Sequence, residues 1–115
     1  MELLALQKLL SAVAGVRVLT VGDLMVDRFV HGEVSRVSAE APIPILARTH
    51  ESVMLGAAGN VARNVAALGG AASLVGVIGQ DAPAHEAMGL VGEESGIEGF
   101  LITDPSRSTL SLIHI

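Results

Sequence analysis

The chain contains no cysteine, no tryptophan and no tyrosine, and its aromatic side chains are limited to Phe29, Phe100 and four histidines. Without cysteine there is neither a disulfide nor a thiolate metal site, and a reducing cytoplasm is the expected setting. Basic side chains are scarce as well: 7 Lys and Arg stand against 12 Asp and Glu, for a net charge of −5. A nucleic-acid surface calls for a basic face with stacking aromatics, so no nucleic acid partner is expected. No apolar run reaches the roughly 18 residues needed to span a bilayer. At the N-terminus Glu2 precedes the leucines and Gln7-Lys8 interrupts them. That is unlike a secretory leader and reads as an amphipathic helix, with Leu3, Leu6, Leu10 and Val13 on one face. The expectation is a soluble protein with no membrane partner.

Several chemical signatures are also missing. Gly22 is followed by Asp23-Leu24-Met25-Val26, so the first strand does not lead into the G-x-G-x-x-G of a dinucleotide fold. No P-loop and no G-x-S-x-G nucleophile turn occurs. His31, His50, His85 and His114 lie far apart in sequence, without a carboxylate or second histidine at ligand spacing. They read as solvated surface residues, and no metal site is expected.

What is present is aliphatic and glycine-rich. Half of the 115 residues are hydrophobic and 13 are glycine. With so few rings the core must be built from Val, Ile, Leu and Ala, which suits an α/β protein with strands covered on both faces. The length allows one domain at most. After the first helix, Val16–Val21 (VRVLTV) reads as the central strand, closed by Gly22. Asp23 and Asp27 follow just past its carboxyl end, where open α/β sheets bind ligands. Asp23 reads as a turn cap. From Arg28 to His50 the pattern changes: Phe29–Val37 alternates loosely, and Pro42–Arg48 is a second extended piece. Two prolines make that piece start at a sheet edge or outside the main sheet, and two strands without a helix between them read as a protruding flap.

The stretch Leu55–Gly79 (LGAAGNVARNVAALGGAASLVGVIG) organises the rest. Gly56-Ala57-Ala58-Gly59 is a turn with almost no side-chain bulk. Asn60 then stands at the start of a helix whose apolar stripe is Val61, Val65 and Leu68, stopped by Gly69-Gly70. Ser73–Ile78 reads as a strand. Such a turn fits a plain helix–strand unit about as well as a binding site. Beyond it, Asp81 caps a helix over Ala84–Glu94 with Met88, Leu90 and Val91 inward, and Gly99–Ile102 is a last short strand.

Taken together, VGDLMVDRFVHGEVSRVSAEAPIPIL and LGAAGNVARNVAALGGAASLVGVIGQD resemble the N-terminal half of ribokinase-like carbohydrate kinases. The subgroup they look most like is the heptose 7-phosphate kinase domain of bifunctional heptose kinase/adenylyltransferases. Asn60, Ala62, Gly69 and Gly79 meet the four positions of the family signature. The resemblance runs from about Val16 to Thr109 and implies a three-layer sandwich with a mostly parallel sheet and a protruding β-lid at about 28–55, of which only the N-terminal part is present. It implies that Asp27 and Asn60 bond sugar hydroxyls and that Gly56 and Ala57 contact the sugar through backbone. It also implies a sugar phosphate substrate, a homodimer through the lid, and ATP and Mg2+ as cofactors of the full-length enzyme.

The departures carry expectations of their own. Ala57 stands where the family has a second glycine, and an alanine fits there only at negative φ. Ala39 replaces a usual proline and Ala84 a usual glycine. No Gly-x-Gly-Asp anion hole occurs, so no catalytic residue is assigned in this chain and the fragment alone is expected to be inactive. Residues 110–115 depart from the family's text and read as a non-native tail. Two other readings remain: another sugar or nucleoside kinase of the family, or a non-catalytic module that dimerises through the flap.

Overall fold

The computed structural model describes residues 2–115. Its elements, in chain order, are α1 (Leu3–Val13), β1 (Arg17–Val21), β2 (Leu24–Val37), β3 (Pro44–Ala57), α2 (Ala58–Ala67), β4 (Ala71–Ile78), α3 (Ala82–Glu93), β5 (Ile97–Thr103) and β6 (Leu110–His114). They make two three-stranded sheets. One is parallel, in the order β1-β4-β5; in the other, β2 lies between antiparallel β3 and parallel β6.

β4 alternates buried and half-buried residues along its whole length. Ala72, Leu74 and Ile78 point into a core closed by Ala62 of α2, Ala84, Ala87 and Val91 of α3, and Leu24, Val26 and Leu55 at the root of the hairpin. Alanines at the helix contacts let backbones approach the sheet, as the ring-poor composition requires. Gly59 tightens this further: a Cβ there would lie 2.7 Å from Leu24 Cδ1 and 2.8 Å from Leu55 Cβ. The opposite face of the parallel sheet is open. Leu19, Val21, Phe100 and Ile102 are between 51% and 68% exposed, and in register Val21, Val75 and Phe100 share that face.

Several expectations are corrected here. β1 is not central among the described strands; β4 is, because β1 and β5 pair with its two edges. The stripe of α2 holds at Val65 but not at Val61 and Leu68. Val61 and Leu68 are exposed, while Gly59 and Ala62 are buried with Val65 and Ala66 packed beside them. Small side chains won the inward face because the helix sits close to the sheet. In α3, Met88 is exposed and Ala84 and Ala87 take the inward positions for the same reason. α1 forms as a helix, but none of its residues is buried.

The helix stop is as expected. Gly69 has φ +90°, Gly69 N donates to Ala66 O at 2.9 Å and Gly70 N to Val65 O at 3.0 Å. This is the paired bonding of a Schellman C-cap, which glycine enters without steric cost.

The flap is a β2–β3 hairpin of two 14-residue strands, wider than the expected 28–55 because β2 starts at Leu24 and β3 runs on to Ala57. Pro44 opens β3 on the edge of the sheet, where its lack of an N–H does least harm. The register His31↔His50, Gly32↔Arg48 leaves Thr49 unpaired, and Val34↔Leu46, Arg36↔Ile45 leaves Ser35 unpaired. These are β-bulges on opposite strands. Residues 110–114 lie beside β2, pairing Met25↔Leu110 through Phe29↔His114.

Candidate functional site

Successive residues of a strand face opposite sides of the sheet, so Asp27 and Arg28 at the root of β2 look in opposite directions. Asp27 faces Gly56. A Cβ built on Gly56 would sit 2.5 Å from Asp27 Oδ1, 2.6 Å from Cγ and 2.7 Å from Oδ2. The carboxylate therefore lies in the space that any other residue at 56 would fill. Its Oδ1 is buried and without a hydrogen-bond partner; Thr20 Oγ1 is the other such atom among the described residues. An unpaired, buried carboxylate oxygen is costly unless something donates to it. Oδ2 is 3.8 Å from His114 Nε2, too long for a hydrogen bond. The side chain is 21% exposed, and the buried Oδ1 is not part of that exposed surface.

Ala57 is the joint between β3 and α2, with φ +50° and ψ −125°. The negative φ expected of an alanine is not what the chain adopts. The turn needs the conformation glycine enters freely, and Ala57 is held in it by the continuous β3 ladder on one side and by Ala58 N donating to Asp23 O at 2.9 Å on the other. That bond also fixes the loop after β1 to the start of α2. Ala57 offers no side-chain cap, so the first-turn amides of α2 lack side-chain partners. Asn60 is the third residue of α2 and exposed, at the start of the helix as expected, while the N-cap position is taken by Ala57. The structure thus brings Asp27 directly onto Gly56, sets Ala57 next in the chain, and puts Asn60 within the first turn of the following helix.

On the other face of the hairpin, Arg28 makes a charge network that motif reasoning missed. Its Nη1 donates to Glu51 Oε1, and its Nη2 donates to both Glu86 oxygens at 2.8 Å. Arg48 Nη1 donates to the second oxygen of Glu51 at 2.7 Å. The guanidinium pKa is raised, first by Glu51 and then by Glu86, and Glu51 is held below the usual carboxylate range chiefly by Arg28. Arg28 follows Asp27 directly in the quoted motif, but nothing in the sequence pointed to Glu86 as its partner.

The histidines are not all separate. His31 and His50 stack across the hairpin with centroids 4.3 Å apart, and Phe29 stacks on His114 at 4.4 Å. Among the described residues no group of three or more His, Cys, Asp or Glu could hold a metal ion. No described helix is long and apolar enough to cross a membrane.

A second polar cluster closes the far end of β4. Asp81 Oδ1 accepts from Ala84 N at 3.0 Å, which is the expected cap, and from Thr109 Oγ1 at 2.7 Å. Its Oδ2 accepts from Thr109 N at 2.8 Å, and Gly79 N donates to Thr109 Oγ1 at 2.8 Å.

The chain is 50% identical over 110 residues to the bifunctional protein HldE of Caulobacter vibrioides, covering 96% of this chain and 23% of that protein. It is 50% identical over 105 residues to the bifunctional protein HldE of Rhodospirillum rubrum, covering 91% and 21%. It therefore spans less than a quarter of the length of these curated relatives. Among solved structures it is similar to a carbohydrate kinase from Agrobacterium tumefaciens, with a TM-score of 0.62 at 23% identity over 84% of this chain and 30% of that one. Phosphofructokinase-2 of Escherichia coli matches with a TM-score of 0.57 at 23% identity, over 85% and 30%; at these identities the likeness concerns the fold. The family pattern of the pfkB carbohydrate kinases extends over residues 17–113, and with the parallel sheet, hairpin and glycine turn in place, the chain belongs to that family.

Proposed function

We propose that this chain is the sugar-binding half of an ATP-dependent D-glycero-D-manno-heptose 7-phosphate kinase. The whole enzyme would transfer a phosphoryl group to the anomeric hydroxyl and yield heptose 1,7-bisphosphate, a precursor of ADP-heptose and the lipopolysaccharide core. The observation that supports this most is Asp27: a carboxylate lodged over Gly56 with a buried, unpaired oxygen. An ionised carboxylate accepts charge-assisted bonds from neighbouring sugar hydroxyls, which would supply the missing donors. Asn60 on the first turn of α2 contributes a second polar group, and Gly56 and Ala57 allow backbone to come close to the sugar. The hairpin closes over it and keeps water, a competing acceptor, away from the reacting phosphate.

ATP and Mg2+ are implied by the family. The described residues do not fit them, since no cluster of three metal-ligating side chains exists and no Gly-x-Gly-Asp occurs. The resemblance puts the catalytic aspartate in sequence that this chain does not contain.

Titration of D-glycero-D-manno-heptose 7-phosphate into the 115-residue chain by calorimetry tests the reading. Binding is expected for the native chain and loss of binding for Asp27→Ala, with an unchanged circular dichroism spectrum. Equal affinity in the two would remove Asp27 from the site. A panel with fructose 6-phosphate and ribose separates heptose recognition from that of another sugar.

A homodimer through the hairpin is the companion reading. Val34, Val37 and Ile43 at its distal end are 57–62% exposed, an apolar tip suited to a second copy. Sedimentation of Val34→Lys beside the native chain tests it: a dimer that persists unchanged would sink the reading.

A further inference from the structure

We infer that Arg28 is a positioning residue for Asp27, acting through a three-way tie between β2, β3 and α3. The inference rests on the sugar-binding reading above for its purpose, but its geometry stands apart from it. Arg28 and Asp27 are neighbours on opposite faces of one strand, so whatever fixes the direction of one fixes the other. A slip of one residue would send the carboxylate to the α3 side and the guanidinium to Gly56. The fork of Arg28 resists this. Nη2 sits 2.8 Å from both oxygens of Glu86 on α3, while Nη1 binds Glu51 on β3.

The three side chains are 22–36% exposed, sheltered enough to hold their geometry better than a fully solvated pair. The remaining charged group on this cluster is Arg48, which holds the far oxygen of Glu51. The backbone ladder joins β2 to β3, and Leu24, Val26 and Leu55 pack the hairpin root against the helical layer without a directional bond. The Arg28–Glu86 bridge joins the hairpin root to α3, which belongs to the other sheet's cover. Through it, the carboxylate of Asp27 is held in the one place where Gly56 leaves room.

Lysine cannot reproduce the fork, because an ammonium is a point charge without the planar pair of donors. The test uses Glu86→Gln and Arg28→Lys in the 115-residue chain, with two readouts. The first is hydrogen exchange. Faster exchange is expected at the hairpin root, residues 24–28 and 53–57, with residues 71–78 of the parallel sheet unchanged; a merely stabilising bridge would quicken exchange in all of these together. The second is affinity for heptose 7-phosphate. It should fall about tenfold or more in Arg28→Lys, which loses both arms of the fork, as small misplacements of a contact group do, and less in Glu86→Gln, which weakens one arm. Unchanged or uniformly quickened exchange overturns the inference. A native chain that binds no sugar phosphate, together with root-specific exchange in the two variants, would overturn the functional reading and leave the tie intact.

Discussion

A β-carbon held at positive φ outside the left-handed helical well costs about 1–3 kcal/mol, and Ala57 carries that cost at the joint between hairpin and helix. Replacing it with glycine removes the strain and adds chain entropy to the unfolded state, worth about 0.4–1 kcal/mol in the opposite direction. Ala57→Gly should therefore stabilise the chain by about 1 kcal/mol, read as a higher urea midpoint at constant slope. A lower midpoint would show that the alanine methyl makes compensating contacts. The family resemblance had marked this position as the odd one, and there the sequence was informative. It could not say that the backbone would keep the glycine conformation with alanine in it, because φ at one residue is dictated by the β3 ladder and the Ala58–Asp23 bond on either side. Asp27 and Gly56 were legible individually from the motif. That one fills the other's empty space was not, since 28 intervening residues of hairpin determine their register.

Among the elements, helices were located better than they were oriented. Gly69-Gly70 and Asp81 gave both ends their chemistry, and both ends formed as read. The faces were misjudged in part because hydrophobicity favours Val61, Leu68 and Met88, whereas close packing puts Gly59, Ala62, Ala84 and Ala87 inward beside Val91. Asp81 does more than cap α3: it ties Thr109 to Gly79. The Thr109 hydroxyl, then the Thr109 amide, hold its carboxyl below the ordinary aspartate range. The unfolded chain returns it to that range, so its contribution to stability is complete above the ordinary value and disappears as pH falls through the folded value. Asp81→Asn should consequently lose stability at pH 7 and narrow the gap between denaturation midpoints at pH 7 and pH 3. An unchanged gap would mean that the acid sensitivity arises elsewhere, Asp104 with its Ser106 partner being the next candidate.

The molecule as a whole is spread out. Its radius of gyration is 18.3 Å, against about 13 Å for a compact chain of this length. The long hairpin and α1, which buries none of its residues, contribute to this. Leu19, Val21, Phe100 and Ile102 form an apolar surface of a kind that promotes association. Concentration-dependent light scattering is expected for the native chain, and Val21→Thr with Phe100→Thr should reduce it while keeping the strands, since threonine suits a pleated surface. Scattering unchanged by the pair would direct attention to the hairpin tip. The composition foretold an aliphatic sheet, and the resemblance, which leaves the parallel sheet incomplete, foretold uncovered faces; which face stands open follows from the arrangement of the helices, which no local pattern encodes.

One detail of the site reaches into how such a sequence can change. The Asp27 carboxylate and a side chain at 56 exclude each other from the same few cubic ångströms. Position 56 then cannot be filled independently in an evolving lineage: a larger residue there is harmful while aspartate stands at 27, and becomes acceptable once 27 is small. Such a pair shows sign epistasis. Any path that leaves sugar binding behind must shorten residue 27 before it fills residue 56, so the order of the two steps is set by sterics.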